Sequence, residues 1–201
     1  MIRLCQDIYS FDLDEALAAV HPQRRRQALR YRLERDQRLC IAAYRLLQES
    51  LCLDYGIDEG PPELIYDNHG KPLLRSHPEI HFSLSHCRDA AAIAIGDEPV
   101  GIDIENLDQY SEAVAQQVMS ASEMKLILAS PRPAREFIRL WTMKESLYKL
   151  TGDDNGGDIV HMLDDARMAY RFTTLDYPEG YLLTVCQAAA ASPLHADGLN
   201  A

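Results

Sequence analysis

An α+β fold is the class this sequence predicts, and three observations carry it. Leu39, Ala42, Ala43, Leu46, Leu47, Ser50 and Leu51 recur at helical spacing and give a long helix one apolar face. From Leu64 the pattern changes to short strand-like runs separated by turn residues. The second half again offers helices and a closing pair of strands, so both halves combine helices with a few antiparallel strands. That pattern is compatible with internal duplication, although no residue-level repeat proves one.

Residues 2–11 read as an opening strand, and His21-Pro22 leads into a helix whose first turn tolerates a proline. The long helix follows and ends near Gly56. Leu64-Ile65-Tyr66 and Lys71-Pro72-Leu73-Leu74 flank a turn at Asp67-Asn68-His69-Gly70. Strands at 80–84, 90–95 and 100–104 come next, the last two joined as a hairpin through Gly96-Asp97-Glu98-Pro99. Ser120-Ala121-Ser122-Glu123 has the form of a capping box at a helix start. A further helix runs from near Ala134 to Leu150 and stops at Gly152. Residues 168–172 and 181–186, on either side of 176–180, form a closing hairpin, and the tail over 188–201 is frayed.

Composition limits the function classes. The 201 residues carry 20 Lys and Arg against 31 Asp and Glu, a net charge of −11, with 47% hydrophobic residues, which excludes a disordered chain. Five cysteines, an odd number without a C-x-x-C pair, argue against a disulfide framework or a zinc ribbon. The longest apolar run, 90–95, is far short of a membrane span, and the first residues lack the apolar core of a signal peptide. A cytoplasmic protein with no membrane partner is the expectation. The charge is uneven: Arg24, Arg25, Arg26, Arg30, Arg32, Arg35 and Arg38 face only Glu34 and Asp36, so this segment is +5 and the other 186 residues −16. With Tyr31 its only aromatic, the segment suits a compact anion such as a nucleotide phosphate better than a nucleic acid. A solvated helix face with Arg–Glu pairs would account for it equally well.

Two clusters could carry chemistry. Val100-Gly101-Ile102-Asp103-Ile104-Glu105 alternates with period two, placing Asp103 and Glu105 on one strand face about 6.5–7 Å apart at Cα. Neighbouring carboxylates repel unless a cation compensates, and a hard oxygen-preferring ion such as Mg²⁺ meets that need. Taken alone, the pair more often marks a polar strand face that meets water. In Trp141-Thr142-Met143-Lys144-Glu145-Ser146-Leu147-Tyr148-Lys149, helical spacing aligns Trp141, Glu145 and Lys149 on one stripe. By itself that stripe is a surface Glu–Lys pair below a core tryptophan. Phe82-Ser83-Leu84-Ser85-His86 adds a hydroxyl and an imidazole at a strand end, and Gly70-Lys71-Pro72 a lysine at a turn. Cys87 reads as a packed thiol.

In this order, the arginine-rich helix, Gly70-Lys71-Pro72, Phe82-Ser83-Leu84-Ser85-His86, Gly101-Ile102-Asp103-Ile104-Glu105 and the stripe from Trp141 to Lys149 resemble the 4'-phosphopantetheinyl transferases of the two-halved, surfactin-synthetase-activating type. The resemblance implies two α+β halves related by a pseudo-twofold, each a small antiparallel sheet packed by helices, with the site in the cleft between them. An N-terminal half over 1–99 would contact coenzyme A phosphates, and a C-terminal half over 100–187 would hold the metal and catalytic groups. The implied reaction moves the 4'-phosphopantetheine arm of coenzyme A to a serine of an apo acyl or peptidyl carrier protein. By the same resemblance, Asp103, Glu105 and Glu145 hold Mg²⁺. Glu145 is the general base, and Lys149 stabilises the diphosphate and the leaving group. Arg24, Lys71, Ser85 and His86 contact coenzyme A, and 110–124 the carrier. Gln27 and Cys40 depart from the family pattern. A monomer is expected, since one chain supplies both halves. A non-catalytic coenzyme A or carrier-binding module and a Mg²⁺ nucleotidase are the alternatives to a transferase.

Overall fold

A computed structural model describes residues 1–152, 158–164 and 166–189. The helical repeat at 39–51 forms the inner face of a 22-residue helix, Glu34–Tyr55, on which all seven of those residues are buried. Gly56 ends it in the left-handed region (φ +67°), where its N–H reaches the Cys52 carbonyl while Ile57 reaches back to Leu51. Three helices precede the first long loop: α1 (Leu13–Ala19), α2 (Pro22–Ala28) and this α3. Helix α2 begins at Pro22 as the sequence predicts.

The opening strand is shorter than the predicted 2–11. It stops at Cys5 (β1, Ile2–Cys5), because Asp7 organises a turn: its carboxylate accepts the Tyr9 N–H and its carbonyl the Ser10 hydroxyl. Asp12 then caps α1 by accepting the Glu15 N–H at 2.9 Å, a helix start that the sequence reading passes over.

The remaining strands are β2 (Leu64–Tyr66), β3 (Pro72–Leu74), β4 (His81–His86), β5 (Ala91–Gly96), β6 (Val100–Asn106), β7 (Tyr170–Tyr177) and β8 (Tyr181–Ala188). Between β6 and β7 lie α4 (Glu112–Val118), α5 (Ala121–Ala129), α6 (Pro133–Thr151) and the short α7 (Ala166–Ala169). The Ser120 capping box is present in full, and Gly152 caps α6. The predicted closing hairpin is β7–β8, paired from Tyr177↔Tyr181 to Tyr170↔Ala188. Most of the tail expected to fray, from 190 on, lies outside the described residues.

All ladders are antiparallel: a sheet β1-β5-β4, a ribbon β2-β3, and a sheet β6-β8-β7. The predicted hairpin of β5 with β6 does not form. Strand β5 is central, paired with β1 on one edge and β4 on the other, so β6 has no edge of it to join and pairs with β8. Leaving aside the β2-β3 ribbon and the shorter helices, β1-α3-β4-β5 and β6-α6-β7-β8 follow the same order of strand, long helix, strand, strand, and in each the last strand lies between the other two.

Separate cores lie under α3 and under α6. Between the sheets, small Ala92 and Ala94 meet Val100, Ile102 and Ile104. The edge of β6 away from β8 would expose unpaired backbone groups at this seam. Side chains of the first half seal it: Lys71 donates to the Val100 carbonyl, while Ser83 and Ser85 hydroxyls accept the Ile102 and Ile104 N–H at 3.2 and 3.3 Å. No helix among the described residues is long and apolar enough to cross a membrane.

Candidate active site

Period-two alternation sends Ile102 and Ile104 into the seam and turns Asp103 and Glu105 towards α6. Helix α6 approaches unusually closely there, because residue 101 is glycine: a Cβ at that position would lie 1.9 Å from the Ser146 carbonyl oxygen. This approach brings Lys149, in the last helical turn, onto Asp103 with Nζ–Oδ1 at 2.7 Å. Ser85 completes a triangle, donating to the same Oδ1 at 2.8 Å and accepting from Lys149 at 2.9 Å. Asp103 is buried, with its side chain 8% exposed, so its strand face does not simply meet water.

Glu145 sits one helical turn before Lys149, half-buried. Burial, and then the charge of Asp103, raise its carboxyl above the ordinary glutamate value, with Lys149 opposing and Glu105 adding to the shift. Glu105 is likewise raised, first by burial, and is held partly down by the Asn106 N–H at 2.8 Å. The three carboxylates thus share one field with a single ammonium. Among the described residues, no three His, Cys, Asp or Glu side chains converge tightly enough to grip a metal ion as they stand. Asp103 is instead paired with the Lys149 ammonium. The donor set itself, Asp103 and two carboxyl groups that its charge helps to raise, fits a hard divalent cation.

The cation side of the site is also assembled. His86 is exposed at the end of β4, but crowding around its ring, then the charges of Lys149 and Arg24, push the imidazole below its usual value. Arg24, from α2, therefore lies within electrostatic reach of His86 at the end of β4. Its guanidinium rests on the Cys40 carbonyl (2.7 and 3.2 Å) and on Gln27 Oε1, 5.7 Å over the Tyr44 ring. The Gln27 side chain and the backbone carbonyl of Cys40 thus hold Arg24. Lys71 is lowered by burial and donates to Val100 and Leu150 carbonyls. Lys71, Lys149, Ser83, Phe82 and Tyr148 line a cleft of about 210 Å³ between the halves.

A profile describing the 4'-phosphopantetheinyl transferase superfamily matches residues 99–189, which span β6, α6 and the closing hairpin. Over 196 residues the chain is 30% identical to the 4'-phosphopantetheinyl transferase psf-1 of Bacillus pumilus, covering 89% of this chain and 83% of that protein. It belongs to the 4'-phosphopantetheinyl transferase family. A 4'-phosphopantetheinyl transferase of Bacillus subtilis is 27% identical over 203 residues, 93% of this chain and 89% of its own length. The transferase AcpT of Salmonella typhi is 36% identical over a shorter stretch of 97 residues, 45% of this chain and half of that protein.

Two features of this family member escape the sequence reading. Lys144, inside the stripe from Trp141 to Lys149, is fully buried: it pairs with Glu123 at 2.9 Å and donates to the Val118, Ile159 and Val160 carbonyls. Its position carried the signal, since Leu140, Met143, Lys144 and Leu147 fall on the apolar face of α6. Ser83 is the other, legible only once β6 is known to need its edge sealed. Trp141 serves the core, stacked on Phe137 with ring centroids 6.5 Å apart.

Proposed function

We propose that the chain transfers the 4'-phosphopantetheine arm of coenzyme A to a serine hydroxyl of an apo acyl or peptidyl carrier protein, releasing adenosine 3',5'-bisphosphate. The observation that carries this reading is the junction of Asp103, Lys149 and Ser85, flanked by Glu105 and Glu145, at a cleft whose walls also carry Lys71. In this reading residues 1–99 supply phosphate contacts, 100–187 supply the acid–base groups, and a pseudo-twofold relates them.

Asp103, Glu105 and Glu145 would hold Mg²⁺, which when bound neutralises charge on the diphosphate. The chain's own groups do the rest. Arg24 presents a planar fork to the 3'-phosphate, and His86 and Lys71 lie along the path of the phosphates. Ser85 acts mainly through Asp103 and Lys149. Glu145, raised above an ordinary glutamate, is better matched to accept the proton of the incoming serine near neutral pH. The serine Oγ–phosphorus bond forms as the phosphorus–bridging-oxygen bond breaks. The electron pair leaves on the 5'-phosphate of the nucleotide, where the Lys149 ammonium offsets the charge. The carrier approaches over 110–124, the protein works as a cytoplasmic monomer, and neither nucleic acid nor membrane takes part.

Mass spectrometry of several apo-carriers after incubation with the protein, coenzyme A and Mg²⁺ tests this. Addition of one phosphopantetheine to the carrier serine is expected. Unmodified carriers throughout, or coenzyme A cleaved without any carrier, would overturn it.

A further inference from the structure

Lys149 has two faces. Its ammonium is bonded to Asp103 and Ser85, yet its side chain is 27% exposed and lines the open cleft, whereas Asp103 is nearly closed off at 8%. The lysine thus faces the cleft, and the aspartate does not. Asp103 would not be left alone if the ammonium moved away, because the Ser85 hydroxyl holds the same Oδ1 and is itself fixed by the Ile104 N–H of the neighbouring strand.

We propose that Lys149 is the stand-in cation of the free enzyme. Its ammonium occupies Asp103 until the diphosphate of coenzyme A draws it into the cleft, and Ser85 is the positioning residue that keeps the carboxylate in place during the exchange. This rests on the reading above in which Asp103, Glu105 and Glu145 take up a divalent ion. The charge balance supports it. With Lys149 in place three carboxylates share one positive charge, and the ammonium sits on the most buried of the three. A divalent ion that binds first must displace that ammonium, while one that binds after coenzyme A finds Asp103 released. Metal and coenzyme A therefore bind with positive coupling, and part of that coupling belongs to Lys149.

Electron paramagnetic resonance titration with Mn²⁺, with and without coenzyme A and in the absence of any carrier, reads this directly because no substrate is consumed. Lys149→Met is expected to bind Mn²⁺ in the absence of coenzyme A at least about fivefold more tightly than wild type, the low end of usual coupling strengths. The ratio of affinities with and without coenzyme A should shrink correspondingly. Lys149→Gln, which keeps a polar side chain, should behave alike, and thermal melts establish that both are folded. Ser85→Ala should bind Mn²⁺ more weakly in both conditions with the ratio retained. Unchanged or weaker Mn²⁺ binding by both Lys149 variants overturns the exchange; if wild type still modifies a carrier, the transferase reading survives that result. A wild type that shows the coupling but modifies no carrier refutes the transferase reading and leaves the exchange standing. No Mn²⁺ binding even with coenzyme A overturns both.

Discussion

Gly101→Ala tests whether the contact between β6 and α6 sets the site. The added Cβ would meet three backbone atoms: the Ser146 oxygen at 1.9 Å, the Leu150 nitrogen at 2.8 Å and the Ser146 carbonyl carbon at 3.0 Å. None can rotate aside as a side-chain tip would. Bringing the closest contact from 1.9 to 3.0 Å requires relative movement of helix and strand by 1.1 Å. Overpacking of a rigid contact costs about 1–3 kcal/mol, and the backbone character of this one points to the upper end. At roughly 2–4 °C per kcal/mol for a chain of this size, the melting temperature should fall by about 6–12 °C. The same movement carries Lys149 and Glu145 away from Asp103, and a misplacement of about 1 Å can cost on the order of 10²-fold in rate. Thermal denaturation and a carrier-modification assay measure the two effects. Gly96→Ala is the control, since a Cβ there meets nothing within 4 Å and should change neither. A Gly101→Ala protein that melts within 2 °C of wild type, by the same scale, and turns over normally would show that this contact does not position the site.

Four further outcomes are expected. Lys144→Met strands the buried Glu123 charge and should cost about 3–5 kcal/mol in urea unfolding; adding Glu123→Gln, which keeps an acceptor for the Ser120 N–H, should recover much of it. A double variant as unstable as the single one would deny the pairing. Glu145→Gln should lower transfer by at least about 10²-fold while leaving the melting temperature level or higher, because it removes one of three repelling carboxylates; a large drop in melting temperature would assign Glu145 to the fold. His86 is depressed below 6.5 in the free protein, so the unfolded chain binds the extra proton first, and His86 makes stability fall as pH drops below about 6.5. Phosphates raise its pKa again, so coenzyme A binding near pH 6 should take up protons, seen by calorimetry in buffers of different ionisation enthalpy and lost in His86→Gln. Arg24→Ala should weaken coenzyme A far more than its dephospho analogue, and equal losses would place the guanidinium away from the 3'-phosphate.

The parts of this fold that could be read from the sequence are those whose signal is local. The periodic face of α3, the capping box at Ser120, the stop at Gly152 and the alternation of β6 each depend on neighbours within a few residues. The pairing of β5 is not legible in this way, because Gly96-Asp97-Glu98-Pro99 suits a hairpin and a passage to another sheet equally well. What decides the matter is that β1, some 90 residues earlier in the chain, already occupies one edge of β5 and β4 the other. Site residues divide in the same way. Asp103 and Glu105 were visible as an alternation and Glu145 and Lys149 as a helical stripe, but their meeting depends on the absent Cβ of residue 101. Ser85 reads from the sequence as a hydroxyl at a strand end; it is buried and engaged with Asp103, Lys149 and the Ile104 N–H. Lys144 is not part of the Glu145–Lys149 pair that the stripe aligns; it falls on the apolar face of α6 and is 0% exposed.

These positions show a single set of groups serving both architecture and chemistry. Lys71 and Ser85 seal the free edge of β6, and the same two side chains border the cleft or hold the buried carboxylate. A ligand that draws Lys71 towards its phosphates takes a donor away from the Val100 and Leu150 carbonyls, which lie on β6 and at the end of α6. Such a ligand would thereby be coupled to the seam between the halves. That seam must be firm enough through its apolar residues, Ala92, Ala94, Ile102 and Ile104, to hold when the polar contacts are exchanged. Enlarging Ala92, the register partner of Ser85 on β5, to Val should consequently disturb coenzyme A binding although that residue is not itself part of the cleft lining. Calorimetric titration with coenzyme A measures this, and a variant that melts lower yet binds coenzyme A as wild type would separate the seam from the site.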